Sequence, residues 1–427
     1  MKRADEEARE AAGPGGLDPQ GTVTARGGRT ETPSGRPPPV PPHRAYRLKR
    51  SLEVFPASDG SLYLLRSGTG DDFVLSDPTS EDRALLELLS QGFLSESHLR
   101  EALGRRGLPT GGIGDCLAKL EELGLLERDE GRDVLSPEQR RRYDRQLIYL
   151  SDLAAPGISG ETLQRRLAEA RVVILGCGGL GSWAACGLAC AGVGSLALID
   201  HDRVELSNLN RQLLFTEADV GEPKVEAAAR TLAAHNSELE LAPVRRRVCG
   251  PADLVDVLEG ADLLIATADW PPYELQRWVN RACLDAAVPY ISAGQFLPLV
   301  RVGPMVLPGR SACQQCLERQ TRRGFPMYDE VTAAISKKAP RAATLGAASG
   351  VVGSMLAMEA IHLLTGASRP ASVDTALILD LGTMRLSTER VRRDPACPEC
   401  GCGEAQDLPP LRSKDEQTLD RHLGRSL

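Results

Sequence analysis

The chain lacks several features that would place it among fibrous, disordered or secreted proteins. It has no internal repeat, and its 427 residues are 42% hydrophobic and 26% charged, a globular composition with room for two or three domains. Positive charge is not in excess: 51 Lys and Arg residues stand against 58 Asp and Glu residues, so no nucleic-acid partner is expected from the net charge of −7. Met1 to Gly15 contain no apolar segment typical of a secretory signal, so we expect a cytoplasmic protein.

One charge-free stretch is long enough to cross a bilayer but is too rich in glycine to do so. Val172 to Ile199 span 28 residues, more than the roughly 20 that a membrane helix needs. Seven glycines lie within it, and four of them are bunched near its start, where they would break a membrane helix. The stretch therefore predicts a buried strand, a turn, a helix and a second strand, and no membrane partner is expected.

Composition divides the chain into four segments. Residues 1–45 are rich in Gly, Pro and charge and are predicted to form a disordered tail. Residues 46–130 show two short strands joined by a turn and then three helical segments, which predicts a small α+β module. Residues 140–403 alternate apolar strands with helical segments, as in a parallel α/β sheet, and residues 404–427 are predicted to be a polar tail.

Within the third segment the pattern predicts the order of strands and helices. The predicted strands are Val172–Leu175, Leu196–Asp200, Leu263–Ala266, Pro289–Ser292, Leu299–Val306 and Ala376–Leu381. The predicted helices lie near Gly181–Ala191, Lys224–His235, Tyr273–Asp285 and Val352–Leu364.

A glycine-rich motif between the first strand and the first helix predicts a nucleotide site. The glycines of this G-x-G-x-x-G pattern are Gly176, Gly178, Gly179 and Gly181. They allow backbone N–H groups and the helix amino terminus to approach phosphate. Asp200 ends the next strand, where an acid that binds ribose belongs. These residues alone leave NAD, FAD and ATP open.

The residues after Asp200 favour ATP and adenylation over hydride transfer. Polar and charged side chains follow at Asp202, Asn208, Arg211, Gln212 and Lys224. A carboxylate that attacks the α-phosphorus of ATP builds negative charge on phosphoryl oxygens, and arginine, lysine and a metal ion stabilise that charge. Asp269 follows the strand Leu263–Ala266 and offers hard oxygen ligands for Mg²⁺.

These motifs together resemble the ThiF/MoeB/HesA family of adenylating enzymes, which are similar to the activating domain of ubiquitin E1 enzymes. The resemblance also includes the run Arg142-Tyr143-Asp144-Arg145-Gln146 and covers about Tyr143 to Cys402. It implies a Rossmann-like domain that homodimerises, binds ATP and Mg²⁺, and converts the C-terminal carboxylate of a protein or peptide into an acyl adenylate with release of pyrophosphate. Its partner would be a precursor peptide or a ubiquitin-like carrier protein.

The resemblance also assigns roles to individual residues. Gly179 and Asp200 would hold the nucleotide, with Asp200 on the ribose, and Asp269 would bind the magnesium ion. Asp202, Asn208, Arg211, Gln212 and Lys224 would surround the phosphates. Arg145 matches a residue that reaches the phosphates from the partner subunit, so Arg145, Arg211, Lys224 and Asp269 are the predicted catalytic residues.

Four cysteines form two pairs with the spacing of a structural zinc site. The pairs are Cys313–Cys316 and Cys397–Cys400, and four thiolates would bind Zn²⁺ tetrahedrally without an open coordination position. Cys402 is a candidate to replace Cys400. The ThiF-like family commonly carries such a zinc ion.

The cysteine pattern departs from that of the E1 enzymes. E1 enzymes transfer the acyl group from the adenylate to a cysteine, but no cysteine occurs in Thr321–Gly350, where the mobile crossover loop is predicted. Cys283 has apolar neighbours and is expected to be a core residue rather than a nucleophile. Thioester transfer from this loop is therefore unsupported.

The amino-terminal module resembles the PqqD-like, winged-helix peptide clamp of enzymes that mature ribosomal peptides. Such a module binds a peptide as an added strand at a sheet edge. A winged-helix interaction or dimerisation module is the alternative. The function predicted is therefore ATP-dependent adenylation of a precursor peptide in natural-product maturation. Sulfur-carrier activation for cofactor biosynthesis, a non-catalytic leader-peptide scaffold and an NAD-dependent dehydrogenase are the other hypotheses.

Overall fold

The computed structural model describes residues 24–25, 44–66, 72–129, 135–337 and 343–401. The chain divides into two compact units, Met1–Leu163 and Gln164–Leu427. The sequence predicts a boundary between the module and the adenylation domain near residue 140, whereas the two compact units divide after Leu163.

The first unit contains short strands and helices. Its elements are β1 (Thr24–Ala25), β2 (Ala45–Leu48), β3 (Leu52–Pro56), β4 (Leu62–Arg66), β5 (Phe73–Leu75), α1 (Ser80–Gln91), β6 (Leu94–Ser95), α2 (Glu96–Arg105), α3 (Ile113–Glu122), β7 (Leu126–Asp129), α4 (Pro137–Arg142) and α5 (Asp144–Leu153). Helix α6 (Gly160–Ala168) crosses the division between the two units.

Local signals explain where these helices begin and end. Thr79 accepts a hydrogen bond from the backbone of Asp82, whose side chain bonds back to Thr79, so a capping box starts α1. At α2 the side chain of Ser95 accepts a hydrogen bond from His98 N, a simple N-cap. After α3 the chain turns at Gly124, where φ is +69°, a conformation that glycine adopts without strain. The predicted hairpin and three helices are confirmed.

Two antiparallel sheets accompany these helices. One has the order β1-β5-β4-β3 and the other the order β6-β2-β7. The prediction of a disordered tail over residues 1–45 lies almost entirely outside the described residues. Within it, Thr24–Ala25 pair with β5, and β2 begins at Ala45.

Helix α5 is held to the strands of the first unit by hydrogen bonds and an ion pair. The ammonium of Lys49 donates to the carbonyl of Ala154 over 2.8 Å, and Arg66 Nε lies 2.6 Å from Asp152 Oδ1. These contacts attach α5 to the strands of the amino-terminal unit. The sequence between residues 130 and 144 shows no pattern that predicts this association.

The second unit is an α/β sandwich. Its elements are β8 (Arg171–Leu175), α7 (Gly179–Ala191), β9 (Ser195–Asp200), α8 (Lys224–His235), β10 (Glu240–Arg245), α9 (Val255–Leu258), β11 (Leu263–Ala266), α10 (Glu274–Asp285), β12 (Tyr290–Phe296), β13 (Leu299–Val302), α11 (Gln314–Gly324), α12 (Tyr328–Lys337), α13 (Gly346–Thr365), β14 (Thr375–Asp380) and β15 (Arg385–Arg390). Short 3₁₀ turns lie at Leu206–Asn208, Glu217–Asp219 and Pro251–Leu254.

The sheet of this unit is mixed. Its order is β10-β9-β8-β11-β12-β13-β14-β15. Strands β10, β9, β8, β11 and β12 run parallel to one another. Strands β13, β14 and β15 follow β12 and each pairs antiparallel with the strand before it. Parallel strands buried on both faces explain the continuous apolar runs of β8, β9 and β11. The predicted α/β class is therefore correct, but the sheet is only partly parallel.

The charge-free stretch that opens this unit is the centre of its core. It forms β8, α7 and β9, as predicted, with Val172, Ile174 and Leu198 fully buried. Among the described helices, α13 is long and apolar enough to span a membrane, and 56% of its apolar window is buried inside the protein. Because α13 packs on α7 over the sheet, burial in this core accounts for its apolar composition.

Several predicted boundaries were wrong for identifiable reasons. The strand predicted over Leu299–Val306 ends at Val302, because Gly303 has a φ of +80° and Pro304 has no N–H for the ladder. Strand β15 was missed, since all six of its residues are exposed and show no apolar alternation. Strand β10 was also missed, because it is a largely exposed edge strand interrupted by Pro243.

Candidate functional site

The glycine loop connects β8 to α7 with too little room for side chains. Gly176 has a φ of +98°, and a Cβ there would lie 2.6 Å from the backbone nitrogen of Ala268. A Cβ at Gly181 would lie 1.9 Å from the Gly176 carbonyl oxygen. Gly178 precedes α7 without any side-chain cap, so the first N–H groups of this helix are available for phosphate.

Asp200 joins the glycine loop to the loop that follows β9. Its Oδ2 accepts a hydrogen bond from Cys177 N, and its Oδ1 accepts one from Asp202 N, both over 2.8 Å. These bonds fix the carboxylate at the carboxyl end of β9, where the topology of such sheets places nucleotide ribose.

Lys224 is positioned beside the same loop by Asp202. The ammonium of Lys224 lies 2.9 Å from Asp202 Oδ2, and the lysine side chain is 7% exposed. Partial burial alone would raise the pKa of Asp202, but the hydrogen bond and charge of Lys224 outweigh it and lower the pKa. A lysine held in this way is a fixed positive charge at the edge of the site.

Arg211 lies over the start of α7. Its Cγ is 3.5 Å from the position that a Cβ of Gly179 would take, and its Nη1 donates to the Ser207 carbonyl over 2.7 Å. Ser349 Oγ, at the start of α13, is 2.8 Å from the same Gly179 position. Sequence reasoning missed Ser349, because only packing of α13 on α7 brings it to the glycine loop.

Asn208 and Gln212 are buried behind this surface. Asn208 Oδ1 accepts a hydrogen bond from Glu205 N and closes the 3₁₀ turn of residues 206–208. Gln212 is 3% exposed, and its Oε1 has no hydrogen-bond partner in the part of the chain that the structure describes. The structure thus gives Asn208 a structural contact and leaves an amide oxygen of Gln212 unsatisfied.

Asp269 and Arg145 differ in how the structure places them. Asp269 is exposed and directly follows Ala268, whose backbone abuts Gly176, so the backbone of Asp269 is beside the glycine loop. Arg145 lies on α5 in the other unit, and its side chain is 93% exposed. Its assignment to a phosphate site stays a prediction.

The four predicted zinc ligands are clustered. Their sulfur atoms all lie within 4.8 Å of one another, with Cys313 to Cys397 at 3.6 Å and Cys316 to Cys400 at 3.4 Å. Tetrahedral zinc with Zn–S bonds of about 2.3 Å requires sulfur separations of about 3.8 Å. Backbone N–H of Asp394 donates to Cys316 Sγ, and hydrogen bonding from Cys313 lowers the pKa of Cys316 to about 4. The cluster therefore fits a structural metal, while Cys402 lies outside the described residues.

Cys177 in the glycine loop and Cys283 on α10 are poor nucleophiles. Cys177 and Cys283 are both fully buried, and burial raises the pKa of each thiol far above its usual value. The prediction that Cys283 is a core residue is confirmed. Neither residue offers a thiolate for acyl transfer.

A glycine loop at an uncapped helix, an acid at the carboxyl end of the next strand and fixed cations beside it are the arrangement of an E1-like adenylating enzyme. The chain belongs to the ThiF family, whose sequence model matches residues 143–402. It is similar to the molybdopterin-synthase adenylyltransferase of Escherichia coli, with 33% identity over 267 residues, 62% of this chain and 98% of that protein. Protein HesA of Leptolyngbya boryana is 32% identical over 68% of this chain and 96% of its own length.

Solved structures match over a larger part of the chain. The crystal structure of E. coli MccB with ATP has a TM-score of 0.66 and 27% identity, covering 84% of this chain and 100% of that chain. The structure of PaaA has a TM-score of 0.63 and 26% identity over 80% of this chain. The protein is thus a ThiF/MoeB-type adenylyltransferase, which excludes the scaffold and dehydrogenase hypotheses.

Proposed function

We propose that this enzyme uses ATP and Mg²⁺ to adenylate the C-terminal carboxylate of a ribosomally made precursor peptide, with release of pyrophosphate, during maturation of a natural product. The extent of the structural match carries this proposal. MccB covers 84% of this chain, whereas the molybdopterin-synthase adenylyltransferase covers 62% although 98% of its own length is matched. The MccB match therefore extends into the amino-terminal unit, and MccB is a microcin C7 biosynthetic enzyme crystallised with MccA.

The described residues suit the charge changes of this reaction. The N–H groups at the start of α7 would bind phosphate, and Lys224 and Arg211 would stabilise the negative charge that develops on phosphoryl oxygens. Asp269 would hold Mg²⁺, which supplies further neutralisation of that charge. A terminal carboxylate is already ionised at neutral pH, so its attack requires no general base.

The amino-terminal unit would bind the peptide at the edge of its sheet. Strand β5 already pairs with Thr24–Ala25, a segment far away in sequence, and this pairing supports an edge that accepts an added antiparallel strand. In the same sheet, the exposed rings of Phe55 on β3 and Tyr63 on β4 form a cross-strand pair that offers apolar contacts to a peptide. This role rests on the resemblance to a PqqD-like clamp.

The Cys313, Cys316, Cys397 and Cys400 cluster would hold one structural zinc ion. Its sulfur separations and burial support this assignment, and a site closed by four thiolates would stabilise the fold without taking part in catalysis.

The enzyme would act as a homodimer in which each active site receives Arg145 from the partner subunit. The exposed faces of α7 and α13 support this proposal, because α7 contains no charged residue and the one carboxylate of α13, Glu359, is buried against Ser372. Met358 on this surface is 36% exposed, and an uncharged apolar surface of this kind is typical of an interface between subunits.

Sulfur-carrier activation is the second candidate. It is favoured by the 33% sequence identity to the carrier-activating enzymes, which is higher than the 26% identity to MccB. The test is ATP–pyrophosphate exchange with three substrates: the peptide encoded beside the gene, the same peptide with a C-terminal amide, and a carrier protein ending in Gly-Gly. We expect exchange with the free acid and loss of it with the amide, since the amide has no carboxylate to attack phosphorus. Exchange with the carrier protein alone would contradict the peptide assignment.

The shared active site predicts rescue between two inactive variants. In purified heterodimers of Arg145→Ala and Asp269→Ala subunits, one of the two sites would combine both intact residues, so we expect about half the wild-type exchange activity. Each variant alone should be inactive. Two affinity tags, one on each subunit, allow the heterodimer to be isolated, and an inactive heterodimer would argue that both residues act within one chain.

A further inference from the structure

Arg301 lies at the same end of the sheet as the nucleotide site. It is on β13, where it pairs with Gly294 of β12. Strand β11 ends at Ala266, which pairs with Ser292 of β12, so Arg301 lies two residues beyond the end of β11. Asp269 follows β11 at this same edge.

Arg301 forms no ion pair within the described residues. Its Nε is buried and has no hydrogen-bond partner among them, and the carboxylate of Glu389 on β15 acts on the guanidinium electrostatically without contacting it as an ion pair. Burial accordingly lowers the pKa of its guanidinium. The residue as a whole is only partly buried, so a ligand can reach it.

Two neighbouring arginines, by contrast, are paired with carboxylates. Arg277 donates three hydrogen bonds to Glu318 over 3.1 to 3.3 Å, and Arg322 lies 2.8 Å from Asp329. Both are more exposed than Arg301 yet are paired with a carboxylate. A desolvated guanidinium is costly to leave without a directly bonded anion, and Glu389 makes no such ion pair, so the unfilled contact points to an anion from outside the chain.

Two tyrosines accompany the unpaired cation. After Glu389, Tyr328 and Tyr273 are the groups that act electrostatically on Arg301, and their rings pack edge to face with centroids 6.2 Å apart. Tyr273 has a φ of 65°, an unfavourable conformation for a residue with a side chain. Phenolic O–H groups beside a guanidinium form a set of donors suited to a carboxylate.

We propose that Arg301, flanked by Tyr273 and Tyr328, binds an aspartate or glutamate side chain near the C-terminus of the peptide substrate. This inference rests on the proposed function. Because β11 and β13 are separated by two strand spacings of about 4.8 Å, an extended peptide whose terminal carboxylate is at the end of β11 reaches Arg301 within about three residues. Arg301 is thus a specificity-determining residue that selects acidic peptides.

The first test varies charge on both sides of this contact. The probes are three pools of N-acetylated octapeptides with free carboxyl termini, randomised with the same neutral residues and carrying Glu, Gln or Lys at the third position from the end. In ATP–pyrophosphate exchange we expect the wild-type enzyme to prefer the Glu pool over the Gln pool by about tenfold in kcat/KM. Arg301→Gln should abolish this preference, Arg301→Glu should favour the Lys pool, and Arg301→Lys should retain part of the preference for Glu.

Equal exchange with all three pools by the wild-type enzyme, or an unchanged order of pools in Arg301→Glu, would overturn the inference while leaving the proposed function intact. Absence of exchange with every pool would instead contradict the proposed function together with the inference.

The second test measures thermal unfolding and does not depend on catalysis. Removing an unpaired, desolvated charge should raise the melting temperature, so Arg301→Gln is expected to unfold above the wild type. Arg277→Gln is the matched control and should unfold below it, because Glu318 is only 2% exposed and would lose its partner. A lower melting temperature for Arg301→Gln would assign Arg301 a structural role and overturn the proposal.

Discussion

Replacing Asp269 by asparagine is expected to lower the rate of ATP–pyrophosphate exchange by at least about 10²-fold, because the amide removes the charge that would hold Mg²⁺ beside the triphosphate. Asp269 is exposed and lies one residue after the backbone that abuts Gly176, so the substitution should leave the fold unchanged. The nucleotide contacts proposed for the glycine loop and Asp200 do not involve this carboxylate. ATP binding measured by calorimetry should therefore persist while exchange is lost, and a higher Mg²⁺ concentration should restore part of the rate.

Arg211→Ala is expected to have a loss of similar size, since it removes a cation that lies over the start of α7. Matched controls are Asp256→Asn and Arg281→Ala, which change exposed residues on α9 and α10 away from the glycine loop. Undiminished exchange in both Asp269→Asn and Arg211→Ala would contradict the assignment of the nucleotide site.

Cys313→Ser and Cys397→Ser are each expected to remove the bound zinc and to lower the melting temperature by roughly 10 °C or more. Cys313, Cys316 and Cys397 are buried, and the cluster joins residues that are 84 positions apart in sequence. Without the metal, the thiols would be left in a buried cluster with no bond to close this long connection. Metal analysis of the purified wild-type protein should give about one zinc per chain.

Cys249→Ser serves as the control, because Cys249 is exposed and is not part of the cluster. Exchange activity of the zinc-free variants below their melting temperature should be retained, since a four-thiolate site has no open position for substrate. An unaltered zinc content in Cys313→Ser and Cys397→Ser would reject the site, and lost activity without lost stability would reject its structural role.

Much of the fold was predictable because its signals are local. The helix Lys224–His235 and the strand Leu263–Ala266 have the predicted bounds, since each is a short apolar or amphipathic run with clear ends. The exposed edge strand Arg385–Arg390 was not predictable, because it has no buried face and its pairing with β14 depends on residues far away in sequence.

The sequence alone determined the glycine loop, the acids and cations that follow it, and the two cysteine pairs, because their chemistry depends on residue type and short spacing. Only the tertiary structure decided which side chains meet. It brings Ser349 to Gly179, joins the two cysteine pairs, and leaves Arg301 without an ion pair among the described residues. These contacts link residues from separate strands and helices, and the packing of helices on the two faces of one sheet sets their distances.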